Sequence, residues 1–154
     1  MPLLPNVEYT HTNLITTNWK RLAAFYERVF GCTPLPPARD LSGEWLDRGT
    51  GIDQASLRGA HLRLPGHGDR GPTLEIFEYT DTVSRDPLRP NHTGFGHIAF
   101  RVDDVAAAVE VVLSEGGARV GEVVTSAIPG AGILTFAYVR DPDGNIIELQ
   151  RWTR

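Results

Sequence analysis

Apolar and polar positions along the chain change period several times, and each change marks an element. Val7 to Thr16 is rich in β-branched residues and holds Tyr9 with no breaker, which predicts a strand. Beyond Asn18, placed to cap a helix, Trp19, Leu22, Ala23, Tyr26 and Phe30 recur at helical spacing, and Gly31 supplies a left-handed stop. Three prolines between Thr33 and Arg39 restrict that piece to an edge strand or a loop. Glu44 to Arg48 and Ser56 to Leu64 read as further strands with Gly and Thr between them. A turn-rich loop from Pro65 to Gly71 leads into another strand, Thr73 to Tyr79.

From Thr80 to Thr93 the composition shifts to Asp, Arg, Pro, Asn and Thr, which predicts a linker. The pattern then restarts. Gly96 to Val102 reads as a strand, and Asp103 or Asp104 caps a helix whose apolar stripe is Val105, Ala108, Val109, Val112 and Leu113. Gly116-Gly117 ends that helix. Strands are predicted over Arg119–Ser126 and Ile133–Arg140, then a tight turn at Asp141-Pro142-Asp143-Gly144 and a last strand over Asn145–Trp152. Both halves therefore run strand, helix, three strands, the sign of an internal duplication. An offset of 86 positions takes His11 to His97 and Gly31 to Gly117, and an offset of 73 takes Glu75 to Glu148. The expected organisation is one domain over 1–154, with module one at 7–79, a linker at 80–93 and module two at 94–152.

What repeats is chemically pointed: each half opens on a strand histidine and closes on a strand glutamate. Alternate strand residues share a face. On that rule His97 sides with Ala99 and Arg101, Glu148 with Ile146 and Gln150, and Glu75 with Thr73, Phe77 and Tyr79, all away from the helix-packed face. If the two sheets curl together, His11, Glu75, His97 and Glu148 converge. A glutamate inside an apolar strand costs several kcal/mol unless it is paired, hydrogen-bonded or metal-bound. Two His and two Glu make a donor set suited to Zn, Ni, Co, Mn or Fe(II). Taken singly, each has a plainer reading as a core or surface group. Glu78 lies on the opposite face from Glu75 and reads as a surface residue. His61 reads as a surface histidine, with an acid or base role beside the metal as the alternative. Arg101, Phe77 and Asn13 are the candidate substrate contacts, while Trp45 and Tyr138 are further pocket-lining candidates. His67 and His92 read as solvent-facing, and Cys32 as a small buried apolar residue.

Composition narrows the function classes. With 154 residues, 41% of them hydrophobic and 22% charged, the chain falls in the globular range. Its net charge of -4 comes from 15 basic and 19 acidic side chains with the signs interspersed, so a nucleic-acid partner is not expected. A single cysteine excludes an intrachain disulfide and a multi-thiolate zinc site. No signal peptide or apolar span is read, so a cytoplasmic protein with no membrane partner is the expectation.

His97-Ile98-Ala99-Phe100-Arg101-Val102-Asp103-Asp104-Val105 and Asp141-Pro142-Asp143-Gly144-Asn145-Ile146-Ile147-Glu148-Leu149 resemble signatures of the vicinal oxygen chelate superfamily. Phe25-Tyr26-Glu27-Arg28-Val29-Phe30-Gly31 is similar to its first-helix pattern, with Phe30 where Leu is common. The resemblance runs from about Val7 to Trp152. It implies an α+β fold of two βαβββ modules forming a half-open, eight-stranded cup around a divalent metal, commonly as a homodimer. His11, Glu75, His97 and Glu148 match the four ligand positions of glyoxalase I, and nearly as well those of methylmalonyl-CoA epimerase. Tyr79 and Ile15 stand where some glyoxalases carry the Asn and Arg that hold glutathione. The implied chemistry is proton transfer on a small carbonyl substrate through a metal-chelated enediolate, with Glu148 and Glu75 as the proton-transfer groups. Two alternatives accompany it. An Fe(II) extradiol-type dioxygenase would need only His11, His97 and Glu148. A drug- or metabolite-binding resistance protein would generally lack the metal set.

Overall fold

A computed structural model describes all residues from Met1 to Arg154. They divide into two compact units, Met1–Val83 and Ser84–Arg154. The boundary falls inside the segment expected to be a linker.

In the first unit, β1 (His11–Ile15) leads into α1 (Trp19–Phe30), followed by β2 (Thr33–Ser42), α2 (Glu44–Thr50), β3 (Ser56–Arg63) and β4 (Thr73–Tyr79). Local chemistry sets the helix ends. Asn18 Oδ1 accepts the Arg21 N–H at 3.1 Å, and Gly31, at φ +71°, turns its N–H back to the Glu27 carbonyl. The sheet order is β1-β4-β3-β2, with β1 parallel to β4 and the other pairs antiparallel. The proline-bearing β2 occupies the edge, where missing N–H donors cost least, and its register slips between Leu35 and Arg39. Leu22, Phe25 and Tyr26 of α1 are buried, as are Leu62, Leu74 and Ile76 of the sheet. That apolar face leaves the alternate residues, Glu75 among them, on the other side.

The second unit repeats the plan: β5 (Ile98–Arg101), α3 (Val105–Ser114), β6 (Ala118–Arg119), β7 (Val124–Ile128), β8 (Gly132–Arg140) and β9 (Ile146–Thr153). Of the two candidate caps, Asp104 is the one used: its Oδ1 accepts the Ala107 N–H at 3.0 Å. The sheet order is β5-β9-β8-β6, with β7 also pairing β8 and β5 parallel to β9. Val105, Val109 and Val112 of α3 are buried, and so are Val139, Ile147 and Leu149.

The register establishes the duplication. Asn13 lies opposite Glu75 in the parallel pair of the first sheet, and Ala99 lies opposite Glu148 in that of the second. Both offsets inferred from the sequence are kept in three dimensions.

Three expectations need correction. Glu44–Arg48 is the start of α2, not a strand. Gly43 and Gly51, both at positive φ, bracket a seven-residue helix too short for periodicity to declare. The expected strand Arg119–Ser126 is two pieces, because the N–H groups of Val120 and Gly121 both turn to the Tyr138 carbonyl and interrupt the pairing. The sheets therefore hold nine strands, four and five, instead of eight. Finally, the first strand is only His11–Ile15, because its partner β4 begins at Thr73.

Candidate active site

In the first unit, three neighbouring strands carry one polar row. Asn13 on β1 and His61 on β3 both lie opposite Glu75 on β4, from its two sides. The Glu75 carboxylate is held accordingly. Asn13 Nδ2 donates to Oε1 at 2.8 Å, and His61 Nε2 lies 2.6 Å from Oε2. His11 Nε2 stands 3.6 Å from Oε1, and the His11 and His61 rings meet edge to face at 5.7 Å. Only 12% of the Glu75 side-chain surface is exposed. These partners are what offset the desolvation of its charge. Burial pushes the His61 pKa below the usual histidine value. The nearby Arg39 and His11 charges act in the same direction, while Glu75 opposes them.

In the second unit the matching row is Ala99, Glu148 and Tyr138. His97, just before β5, places Nε2 at 3.2 Å from Glu148 Oε2. The His97 ring packs against Tyr138 with centroids 4.9 Å apart. Burial, then the Glu148 charge, raises the Tyr138 pKa. Upstream of β9, the turn at Asp141 is tightly built. The buried Asp141 accepts the N–H groups of Asp143 and Asn145 through Oδ1, and the Asn145 side-chain amide through Oδ2 at 2.7 Å. Arg85 Nη2 donates to the side-chain Oδ1 of Asn145 at 2.7 Å. The acidic turn motif thus serves to launch β9 in the register that aims Glu148.

Two donors on adjacent octahedral positions of a divalent ion, each about 2.1 Å from it, lie about 3.0 Å apart. The His97–Glu148 separation matches that spacing, and the His11–Glu75 separation exceeds it by a small side-chain adjustment. Neutral imidazole with carboxylate is also the donor chemistry that Zn, Ni, Co, Mn and Fe(II) accept. Each unit by itself supplies one such His–Glu pair.

The other candidates divide. Phe77 lies on the Glu75 face, near His61 and against α2, whose buried Leu46 packs with Ala55 and Leu57 beside Leu41 and Tyr79. The helix missed in the sequence therefore covers one end of that face. Arg101 is exposed and pairs in register with Gln150. Asn13, also exposed, donates one amide N–H to Glu75. Glu78 is half-buried, not simply a surface group: it accepts the Trp19 backbone N–H at 3.1 Å and pairs with Arg58 at 3.3 Å, tying β4 to the start of α1. His61 is the neighbour of Glu75 underrated in the sequence: it is largely buried and not a surface group. The signal was available, since a β3–β4 hairpin closing over the Pro65–Gly71 loop sets His61 opposite Glu75.

The family profile of the Glyoxalase/Bleomycin resistance protein/Dioxygenase superfamily matches residues 9–149. The chain belongs to this superfamily. A probable lactoylglutathione lyase of Vibrio parahaemolyticus is 45% identical over 149 residues, covering 95% of this chain and 91% of the relative. A 2-epi-5-epi-valiolone epimerase of an Actinomyces species is 36% identical over 72% of this chain and 60% of its own length. Among solved structures, a glyoxalase family protein from Bacillus cereus superposes with a TM-score of 0.83 over 100% of this chain and 99% of its own, at 21% identity. That likeness supports the glyoxalase-type fold. The superfamily's lyases and epimerases place this chain among enzymes of glyoxalase type.

Proposed function

We propose that the chain is a divalent-metal-dependent lyase or isomerase acting on a small carbonyl substrate, with His11, Glu75, His97 and Glu148 as ligands. The observation that carries the reading is the repeat of one His–Glu pair at one register position in each half. When bound, a divalent ion supplies Lewis acidity toward the oxygens of a carbonyl compound, lowering the cost of removing a proton from the neighbouring carbon.

The chain's own residues then have different tasks. Glu75, held by Asn13 and His61, is fixed in orientation. Glu148, paired with His97, keeps lone pairs on its carboxylate, as suits a group that accepts a proton at carbon and returns it. Burial of both carboxylates strengthens their interaction with developing charge. Phe77 and the α2 wall supply an apolar boundary, and Arg101 is the candidate contact for an anionic substrate group. The relatives' names support both outcomes of such a transfer, lyase in one case and epimerase in another.

Glu148→Gln tests the assignment. Turnover of a carbonyl substrate is expected to fall by about 10²–10⁴-fold, the usual contribution of a positioned proton carrier. Metal content, measured by elemental analysis, should persist. Full turnover in a metal-loaded Glu148→Gln protein would overturn the role.

A further inference from the structure

The two halves repeat the His–Glu pair but not what surrounds it. Row positions flanking Glu75 hold Asn13 and His61, both hydrogen-bonding residues. Those flanking Glu148 hold Ala99, which has no polar side-chain atom, and Tyr138, which makes no direct bond to the carboxylate. The pairing around the two glutamates is the same, with a parallel strand on one side and an antiparallel strand on the other. His61 is also aligned by its other nitrogen: Nδ1 faces Thr73 Oγ1 at 3.4 Å, which leaves Nε2 directed at Glu75. Its side chain is 18% exposed and rests edge-on against Phe77 and His11, so the ring has little freedom to turn away.

We infer that His61 and Asn13 form a clamp that positions the Glu75 carboxylate for metal binding: His61 occupies Oε2, and Asn13 takes one lone pair of Oε1 and leaves the other toward His11. The clamp rests on the metal reading above. Its logic is that of an outer-sphere partner: a carboxylate held by hydrogen bonds loses less freedom on taking up an ion and is restricted to one oxygen as donor. Glu75 is thereby made a rigid ligand, while its counterpart Glu148 stays free to move a proton.

The test is the affinity of chelator-stripped protein for Co(II), measured by competition with a chromogenic chelator, together with the visible absorption of the Co(II) form. His61→Phe keeps a ring of similar size, and His61→Gln keeps an N–H donor. Asn13→Ala, at an exposed position, leaves the fold intact and removes the other arm. Loss of an outer-sphere partner typically weakens metal binding 10–100-fold. His61→Phe is expected to show that loss, Asn13→Ala a smaller one, and His61→Gln an affinity near that of the parent. The Co(II) band shape should be unchanged in all three. Wild-type protein that takes up no Co(II) would overturn the metal reading and the clamp together. Normal uptake by wild type with equal affinity in His61→Phe would overturn the clamp alone. So would a band-shape change showing that His61 itself coordinates.

Discussion

Cys32 shows how a side chain's surroundings set its chemistry. It follows the left-handed Gly31 that closes α1 and is 4% exposed. Burial, with the Glu27 charge acting in the same direction, pushes its pKa from 9.0 to about 11. The thiolate is the reactive form, so a thiol reagent at pH 8 should leave the folded protein unmodified and label one thiol per chain after denaturation. The linkage has a definite sign. A thiol with a raised folded-state pKa contributes stability that is complete below about pH 9 and is lost as the pH climbs toward about 11. The urea midpoint should therefore fall between pH 8 and pH 10.5, and less so in Cys32→Ala. The sequence already marked Cys32 as a small buried residue, because its place after a helix stop is a local fact. His61 was harder to assess. Its meaning depends on the strand opposite, and a lone strand histidine has no local signature that separates a surface group from the partner of a buried carboxylate.

At the scale of elements, long amphipathic segments were legible and short ones were not. α1 declares itself through spaced apolar residues and two caps, whereas α2 has seven residues and one buried side chain, Leu46. A strand and a helix of about two turns look alike over that length. Pairing is likewise invisible residue by residue, yet it sets the site. Gly59 of β3 lies opposite Phe77 and two residues before His61. A Cβ built on Gly59 would sit 1.9 Å from the Ile76 carbonyl oxygen and 2.8 Å from the Phe77 ring. The neighbouring backbone must move to admit it. Gly59→Ala is thus expected to destabilise the protein by about 1–3 kcal/mol in chemical denaturation, the usual range for an overpacked interior. A loss below about 0.5 kcal/mol, the size of an ordinary surface substitution, would show that β3 and β4 part easily at this point.

For the whole molecule, duplication explains why most of the architecture could be read from one sequence. The same order of elements appears twice, so a weak signal in one half is supported by its counterpart in the other. Two of the three departures fall where the halves differ, at α2 and at the split between β6 and β7. Each half, taken alone, is of a size that folds only marginally. A ligand set drawn from both halves would add stability to the folded chain by mass action, about 2.7 kcal/mol at a metal concentration 100 times the dissociation constant. Thermal unfolding with and without Zn(II), Ni(II) or Co(II) measures this directly against a chelator-treated control. His11→Ala removes a proposed ligand from the first half only, and His97→Ala one from the second half only. If one ion needs both halves, each variant alone should cancel most of the metal-induced rise in Tm. An ion held within one half would leave the other half's variant with the full rise, and the four-ligand proposal would fail.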